Sequence, residues 1–358
     1  MDQLDQAARH GATDAERSAM LRALGLARRG PAHGPNPRVG CVLLDATGRT
    51  VGEGWHQGAG TPHAEAAAVA AAHASGADLR GATAVVTLEP CAHTGRTGPC
   101  ADLLLSVGVT RVVHALDDPN PSAAGGAARL AAVGVQVVGG VCAEEAGELL
   151  RVWAGSVRAG RPWVTLKLAT SLDGRVAAAD GSARWITSAQ AREHAHRLRA
   201  EVDAIAVGTG TVLADDPALT ARTPDGAPAA HQPLRVVVGL RDVPAGARLR
   251  GAGGELVHVR THDPADVLAE LTGREVRHLL VEGGPTLAAA FLRSGLVDEV
   301  RAYVAPVLLG AGRAAVGDLG ITGIGEALRL RPRDVTPIGP DVLVVAEPGP
   351  GHRPAGEE

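Results

Sequence analysis

The sequence predicts an α/β protein of two domains. At 358 residues the chain exceeds what one ordinary core fills. Short apolar runs alternate with stretches of helical spacing along nearly all of it. The alternation lapses across 154–162, where Gly155, Gly160 and Pro162 break the periodicity. We therefore place one domain at 14–157 and a second at 162–347, and expect the ends, 1–13 and 348–358, to be flexible.

In the first block, 15–29 has helical spacing, with Ala19, Leu21, Ala23, Leu24 and Leu26 on its apolar side. A strand over 40–44 and a shorter one ending near Gly52 flank the turn at 45–48. An alanine-rich helix follows to about Ser75, with Thr61 as its N-cap and Pro62 at its first position. Strands at 82–88, 111–115 and 135–138 alternate with helices at 100–107 and 123–133. The second block opens on a strand at 163–169 and continues with strands at 204–207, 234–238, 256–259, 278–281 and 299–304. Its helices are expected at 188–200, 265–271 and 286–294. Such alternation implies sheets covered by helices on both faces.

Composition excludes several functions. The net charge is −4, with no long charge run, so no basic excess calls for nucleic acid. Four Trp, one Tyr and one Phe are too few for a reader that stacks single-stranded bases. No apolar run suits a membrane span or a signal peptide, so we expect a cytoplasmic protein. Four cysteines in such a chain read as metal or catalytic candidates rather than disulfides. Of 35 basic residues only Lys167 is lysine. It is either a chance remnant or a position where guanidinium cannot replace a compact ammonium.

His63 and Glu65 stand at a predicted helix start in TPHAEAAA, the strand over 82–88 leads into Glu89-Pro90-Cys91, and Cys100 opens the next helix. One imidazole and two thiolates form a zinc set with a fourth position left for water, and Cys100 at a helix N-terminus favours its thiolate. Glu65 is then free to shuttle protons. Taken singly these residues have blander readings: Glu65 is good first-turn chemistry, the cysteines are ordinary buried thiols, or His93 completes a closed structural site. The joint pattern is far more specific than its parts.

Over nearly its whole length the chain resembles the bifunctional riboflavin-biosynthesis deaminase–reductases, through PNPRVGCVLL, GEGWHQGAGTPHAE, TLEPCAHTGRTGPC and DDPNP. Eight residues between Cys91 and Cys100 match that family, whereas other zinc deaminases close the motif as Pro-Cys-x-x-Cys. The resemblance implies a cytidine-deaminase-like three-layer α/β/α domain, with zinc on His63, Cys91 and Cys100 and with Glu65 as proton shuttle. It sets Asn36, His56, Asp118 and Asn120 around the pyrimidine, although Asn-Pro and Asp-Pro-Asn are also plain turn formers. Ala92 and Gly98 depart from the loop's usual Ser and Pro.

The second block carries VTLKLATSLDGR, ARWITS, VGTGTVLADDPALTAR and VEGGPTLAAAF. Gly283-Gly284-Pro285 between a strand and a helix suits close approach to a phosphate, or is simply a tight connection. GTGTVL at 208–213 lacks the third glycine of a dinucleotide fingerprint. These strings resemble the reductase half of the same family, which implies a dihydrofolate-reductase-like α/β domain using NADPH. By that resemblance Ala169, Trp185, Thr211, Asp215, Gly283, Gly284, Pro285 and Thr286 line the cofactor. Lys167, Ala183, Arg199, Leu219, Arg222 and Glu282 meet the substrate, the two arginines holding its ribose phosphate. Lys167 thereby gains a catalytic reading, as hydrogen-bond or proton donor. Ala183 and Leu240 stand where the family often has polar side chains, and Leu240 leaves the grip on the NADPH 2′-phosphate unassigned. The expected substrates are phosphoribosyl-aminopyrimidines, with no nucleic acid or membrane partner, and the expected assembly is a homo-oligomer.

Overall fold

The computed structural model describes residues 11–93 and 98–349. The ends expected to be flexible lie mostly outside these residues. Thr13, however, caps the first helix with a reciprocal Glu16 capping box, and Pro348 closes the last strand. The chain divides into two units, Met1–Arg158 and Ala159–Glu358.

The first unit is built on five strands, β1 (Gly40–Leu44), β2 (Thr50–Trp55), β3 (Thr83–Val86), β4 (Arg111–His114) and β5 (Gln136–Val138), in the order β2-β1-β3-β4-β5. β1 runs antiparallel to β2 and β3, and the other pairs are parallel. Strand side chains alternate between two faces, so each face has its own core. Cys41, Leu43, Ala84, Val86 and Val112 pack against α2 (Ala64–Ala74), α3 (Cys100–Ser106) and α4 (Gly126–Ala132). Val42, Leu44, Val85 and Val113 pack against α1 (Asp14–Ala27) and the start of α5 (Ala143–Ala159). The result is the expected three-layer α/β/α arrangement.

Two local readings need correction. α2 begins at Ala64 with His63 as N-cap, two residues beyond the Thr61 cap read from sequence. Thr61 instead closes a turn on Gly58, its hydroxyl donating to that carbonyl at 2.8 Å. The stretch from 154 is not irregular either, because α5 continues through it to Ala159.

The second unit carries eight strands: β6 (Trp163–Ser171), β7 (Ala204–Gly208), β8 (Leu234–Val238), β9 (Leu256–Val259), β10 (His278–Val281), β11 (Glu299–Ala305), β12 (Leu330–Ile338) and β13 (Asp341–Pro348). Their order is β12-β13-β11-β6-β10-β7-β8-β9, parallel throughout except for the β12–β13 hairpin and its junction with β11. One face buries Leu166, Ala206, Val236 and Leu279 under α8 (Pro264–Thr272) and α9 (Pro285–Arg293). The other buries Ile205, Val207, Val237 and Leu280 with Leu198 of α6 (Ala189–Glu201) and Val212 of α7 (Thr209–Asp215). The GTGTVL run thus closes β7 and forms α7. In parallel sheets of this kind ligands bind beyond the carboxyl ends of the strands, where Glu282 to Thr286 follow β10 and Thr211 and Asp215 follow β7.

Candidate active sites

In the first unit the strand–loop–helix path from β3 to α3 returns Cys100 beside Cys91, and α2 starts opposite them. His63 has an extended backbone (φ −66°, ψ 162°) and makes no capping bond with its side chain. Its Nδ1 lies 3.3 Å from Cys100 Sγ and 3.7 Å from Cys91 Sγ. Tetrahedral zinc with ordinary zinc–sulfur and zinc–nitrogen bonds requires nitrogen–sulfur separations of about 3.5 Å. The three ligand atoms lie within 4.8 Å of one another, and among the described residues no other group of His, Cys, Asp or Glu could hold a metal. The residues fit zinc. His93 stays outside the group, its buried Nδ1 lacking a hydrogen-bond partner.

Hydrogen bonding with Cys100 holds the Cys91 thiol down at about 4, against the opposing effect of burial, with His63 and the Cys100 N–H also contributing. The Cys91 thiolate and burial push Cys100 strongly the other way. The second of two neighbouring thiols loses its proton readily only when a bound cation takes the proton's place. Glu65, in the first turn of α2, is 4% exposed and burial raises its carboxyl to about 7.

Asn36 and His56 meet beside this cluster. His56 Nδ1 lies 3.0 Å from the Pro62 carbonyl, which can only accept. The proton is therefore on Nδ1, and Nε2 accepts from Asn36 Nδ2 at 2.9 Å. Burial lowers the His56 pKa and keeps this neutral form. The ring stands edge-on to His63, centroids 5.6 Å apart. Asp118 and Asn120 share a loop: Asp118 Oδ1 accepts the Asn120 N–H at 2.8 Å, and Asn120 Oδ1 accepts from Ser122. Asn120 thus makes the plain turn its sequence also suggests.

In the second unit Lys167 lies on β6 opposite Arg301 of β11. Glu282 follows β10 and takes a two-pronged contact from Arg199, Nε to Oε1 at 2.7 Å and Nη2 to Oε2 at 2.8 Å. Lys167 Nζ is 3.6 Å from the same carboxylate. Burial works to raise Glu282, but Arg199 and Lys167 outweigh it and hold the carboxyl far below its ordinary value. Arg199 also donates to the Thr220 carbonyl at 3.2 Å, so its guanidinium is largely committed within the protein. Arg222 is exposed, donating to the Gly226 carbonyl at 3.0 Å. Lys167, Ala169, Ala183, Trp185, Arg199 and Arg222 line one cavity of about 560 Å³. Leu219 does not line this cavity: it is 3% exposed, in the core with Ile205, Val207 and Val237.

The expected cofactor loops also come together. Thr211 Oγ1 accepts the Gly284 N–H at 3.1 Å, and a Cβ on Gly284 would sit only 3.1 Å from that oxygen. Pro285 occupies the first position of α9, and Thr286 is exposed on its first turn. Asp215 ends α7, where its carbonyl accepts from Arg184 at 3.0 Å. The close backbone approach at Gly284 fits a dinucleotide phosphate.

A family model for the RibD C-terminal domain matches residues 162–344, and one for the cytidine and deoxycytidylate deaminase zinc-binding region matches 13–116. The riboflavin biosynthesis protein RibD of Mycobacterium tuberculosis is 52% identical over 311 residues, 87% of this chain and 90% of that one. The chain belongs to the RibD family. The Escherichia coli RibD is 40% identical over 91% of this chain and 97% of its own. Among solved structures, Acinetobacter baumannii RibD aligns with a TM-score of 0.84 at 36% identity, covering 94% of this chain and 99% of that one. A Thermotoga maritima structure described as a diaminohydroxyphosphoribosylaminopyrimidine deaminase/5-amino-6-(5-phosphoribosylamino)uracil reductase gives 0.83 at 32%, with the same coverage.

Sequence reasoning passed over several residues that shape the sites. Glu89, 8% exposed, accepts three backbone N–H groups: Gly125 at 3.1 Å and Ala127 at 2.9 Å on Oε1, and Asp118 at 3.1 Å on Oε2. It ties the Cys91 strand end to the Asp118 loop. Gly126 packs so closely there that a Cβ would meet the Pro90 carbonyl oxygen at 1.7 Å. Trp153 on α5 donates to the Pro35 carbonyl at 3.0 Å beside Asn36. The single tyrosine, Tyr303, lines the same cavity as Lys167, with His194 Nδ1 2.7 Å from its hydroxyl and Lys167 Nζ 5.8 Å from its ring centroid.

Proposed function

We propose that the two units catalyse consecutive steps on one phosphoribosyl-aminopyrimidine. The first unit replaces an exocyclic amine of 2,5-diamino-6-(5-phosphoribosylamino)pyrimidin-4(3H)-one with oxygen and releases ammonia. The second reduces the attached ribose to a ribityl chain with NADPH. The observation that carries this reading is the pairing, in one chain, of the His63–Cys91–Cys100 cluster beside buried Glu65 with the Lys167–Glu282–Arg199 ion-pair cluster.

Zinc, when bound by His63, Cys91 and Cys100, supplies a water of lowered pKa and a Lewis acid beside the amine-bearing carbon. Glu65 takes a proton from the attacking water and returns it to the departing nitrogen, which requires a carboxyl poised between its two forms. Asn36, held by neutral His56, keeps its amide oxygen for the ring, and Asp118 sits where the ring's polar edge needs a partner.

NADPH, when bound at the Thr211, Asp215 and Gly283–Thr286 loops with Ala169 and Trp185, supplies the hydride for C1′ of the ring-opened imine. Lys167 faces that centre as hydrogen-bond donor and proton source, oriented by Glu282. Exposed Arg222 supports the phosphate contact. Arg199 adds field and fixes Glu282, Ala183 shapes the wall, and Leu219 supports it from the core. Assembly into a homo-oligomer is supported by the exposed apolar side chains of the β12–β13 hairpin, Leu330, Val335 and Val342. A reducing cytoplasm is supported by four free cysteines. Among the described residues no helix is long and apolar enough to cross a membrane.

Incubating the zinc-loaded protein with the diaminopyrimidinone ribotide, first alone and then with NADPH, tests both halves. The product mass should show amine exchanged for oxygen, then a gain of two hydrogens. Unchanged substrate under both conditions would sink the proposal.

A further inference from the structure

We infer that Arg241 holds the 2′-phosphate of NADPH in this chain and thereby sets its preference over NADH. The inference rests on the reading that the second unit binds NADPH, and it supplies a cation where Leu240 has none.

Three strand ends converge at the dinucleotide loops. β10 delivers Gly283 and Gly284, and β7 runs through Gly208 into Thr209, Gly210 and Thr211. The Gly284 N–H on Thr211 Oγ1 ties these two together. β8 lies next to β7 in the sheet, ends at Val238 and leads into Gly239, Leu240 and Arg241. Gly239 has φ +129°, and a Cβ there would lie 2.7 Å from Thr209 Oγ1, so the β8 end rests on the β7 end. Arg241 continues the same contact: a Cβ on Gly210 would lie 3.1 Å from its Nη2. Its guanidinium therefore lies over the residue beside Thr211, at the edge of the expected phosphate loops.

Arg241 is exposed and, among the described residues, enters no hydrogen bond or ion pair. The charges around it are already satisfied. Arg260 donates to the Leu240 carbonyl at 2.9 Å and pairs with Asp242. Asp242 is thus neutralised, and the backbone before Arg241 is fixed. His258 is turned to the Gly239 carbonyl at 2.8 Å. Leu240, 55% exposed, offers no polar atom on its side chain. What remains is an uncommitted guanidinium at the carboxyl end of the strand beside the one that feeds the phosphate loops. In dinucleotide-binding sheets a cation near that place takes the 2′-phosphate. A planar five-donor fork suits a phosphomonoester dianion and has nothing to grip on an unphosphorylated ribose.

The test is calorimetric binding of NADPH and of NADH to the full-length protein, wild type against R241A and R241K. R80A, an exposed arginine of the first unit, serves as the control for lost charge. We expect wild type and R80A to prefer NADPH. R241A should weaken NADPH by about 10- to 100-fold, the scale of a charge-assisted contact, while NADH stays within about twofold; R241K should fall between. Equal weakening of both dinucleotides, or unchanged NADPH affinity in R241A, overturns the assignment and leaves the cofactor reading standing. Wild type that binds neither dinucleotide overturns the cofactor reading and the Arg241 assignment with it.

Discussion

Glu89→Gln keeps shape and volume and changes one acceptor into a donor. In the native protein one carboxylate receives the N–H groups of Gly125, Ala127 and Asp118. Glutamine can keep the first two on its carbonyl oxygen, but its NH2 group then faces the Asp118 N–H, donor against donor. Leaving one buried donor unmatched costs about 1–3 kcal/mol, and replacing a charged acceptor weakens the two surviving bonds. The strain falls on the loop holding Asp118 and on the strand end holding Cys91. A cost of this size borne in the reacting geometry corresponds to a loss of about 10- to 100-fold in deaminase kcat/KM. The reductase activity of the same chain provides an internal control, since Glu89 lies in the first unit. We expect deamination to fall in that range while zinc content and reduction of the deaminated intermediate hold. Deamination within twofold of wild type, at normal zinc content, would refute a positioning role for Glu89.

Glu65→Gln should lower deaminase kcat by at least about 100-fold through loss of proton transfer, with zinc still bound by elemental analysis. Glu282→Ala leaves Arg199 and Lys167 without their shared carboxylate, and should destabilise the second unit by about 3–5 kcal/mol, read by thermal unfolding. The same carboxylate sets a pH dependence. Its folded pKa is depressed below the ordinary 4.5, so its stabilisation is complete above that value and declines as pH falls toward the folded pKa. Acid unfolding of wild type should show that loss, and E282A should lack it. Gly126→Ala, whose Cβ would collide with the Pro90 carbonyl, should impair deamination more than reduction, measured on the same preparation.

Most of both sheets was legible because their strands are continuous apolar runs between glycines and helices: the bounds read for β1, β8, β9 and β10 coincide with the structure. The β12–β13 hairpin was missed because β12 is exposed along most of its length and carries Arg331, Pro332, Arg333 and Pro337, the marks of a guarded edge strand rather than an apolar pattern. α5 was not read at all: Gly147 and Gly155 read as breakers, although the buried Ala146, Leu150 and Ala154 keep helical spacing. The His63–Cys91–Cys100 cluster was legible from chemistry and spacing, while the α2 start was misread because His63, not Thr61, is its N-cap. The pairing of Arg199 with Glu282 spans 83 residues, and no local pattern carries it. Glu89 was legible only as the residue before Pro-Cys, since its three partners are backbone groups that the fold alone brings near.

The central claim is two chemistries in separate units of one chain, and removing the metal separates them most directly. After chelation, conversion of the diaminopyrimidinone ribotide should stop, while the deaminated intermediate is still reduced with NADPH; added zinc should restore the first step. Loss of both activities, or of neither, would contradict the account.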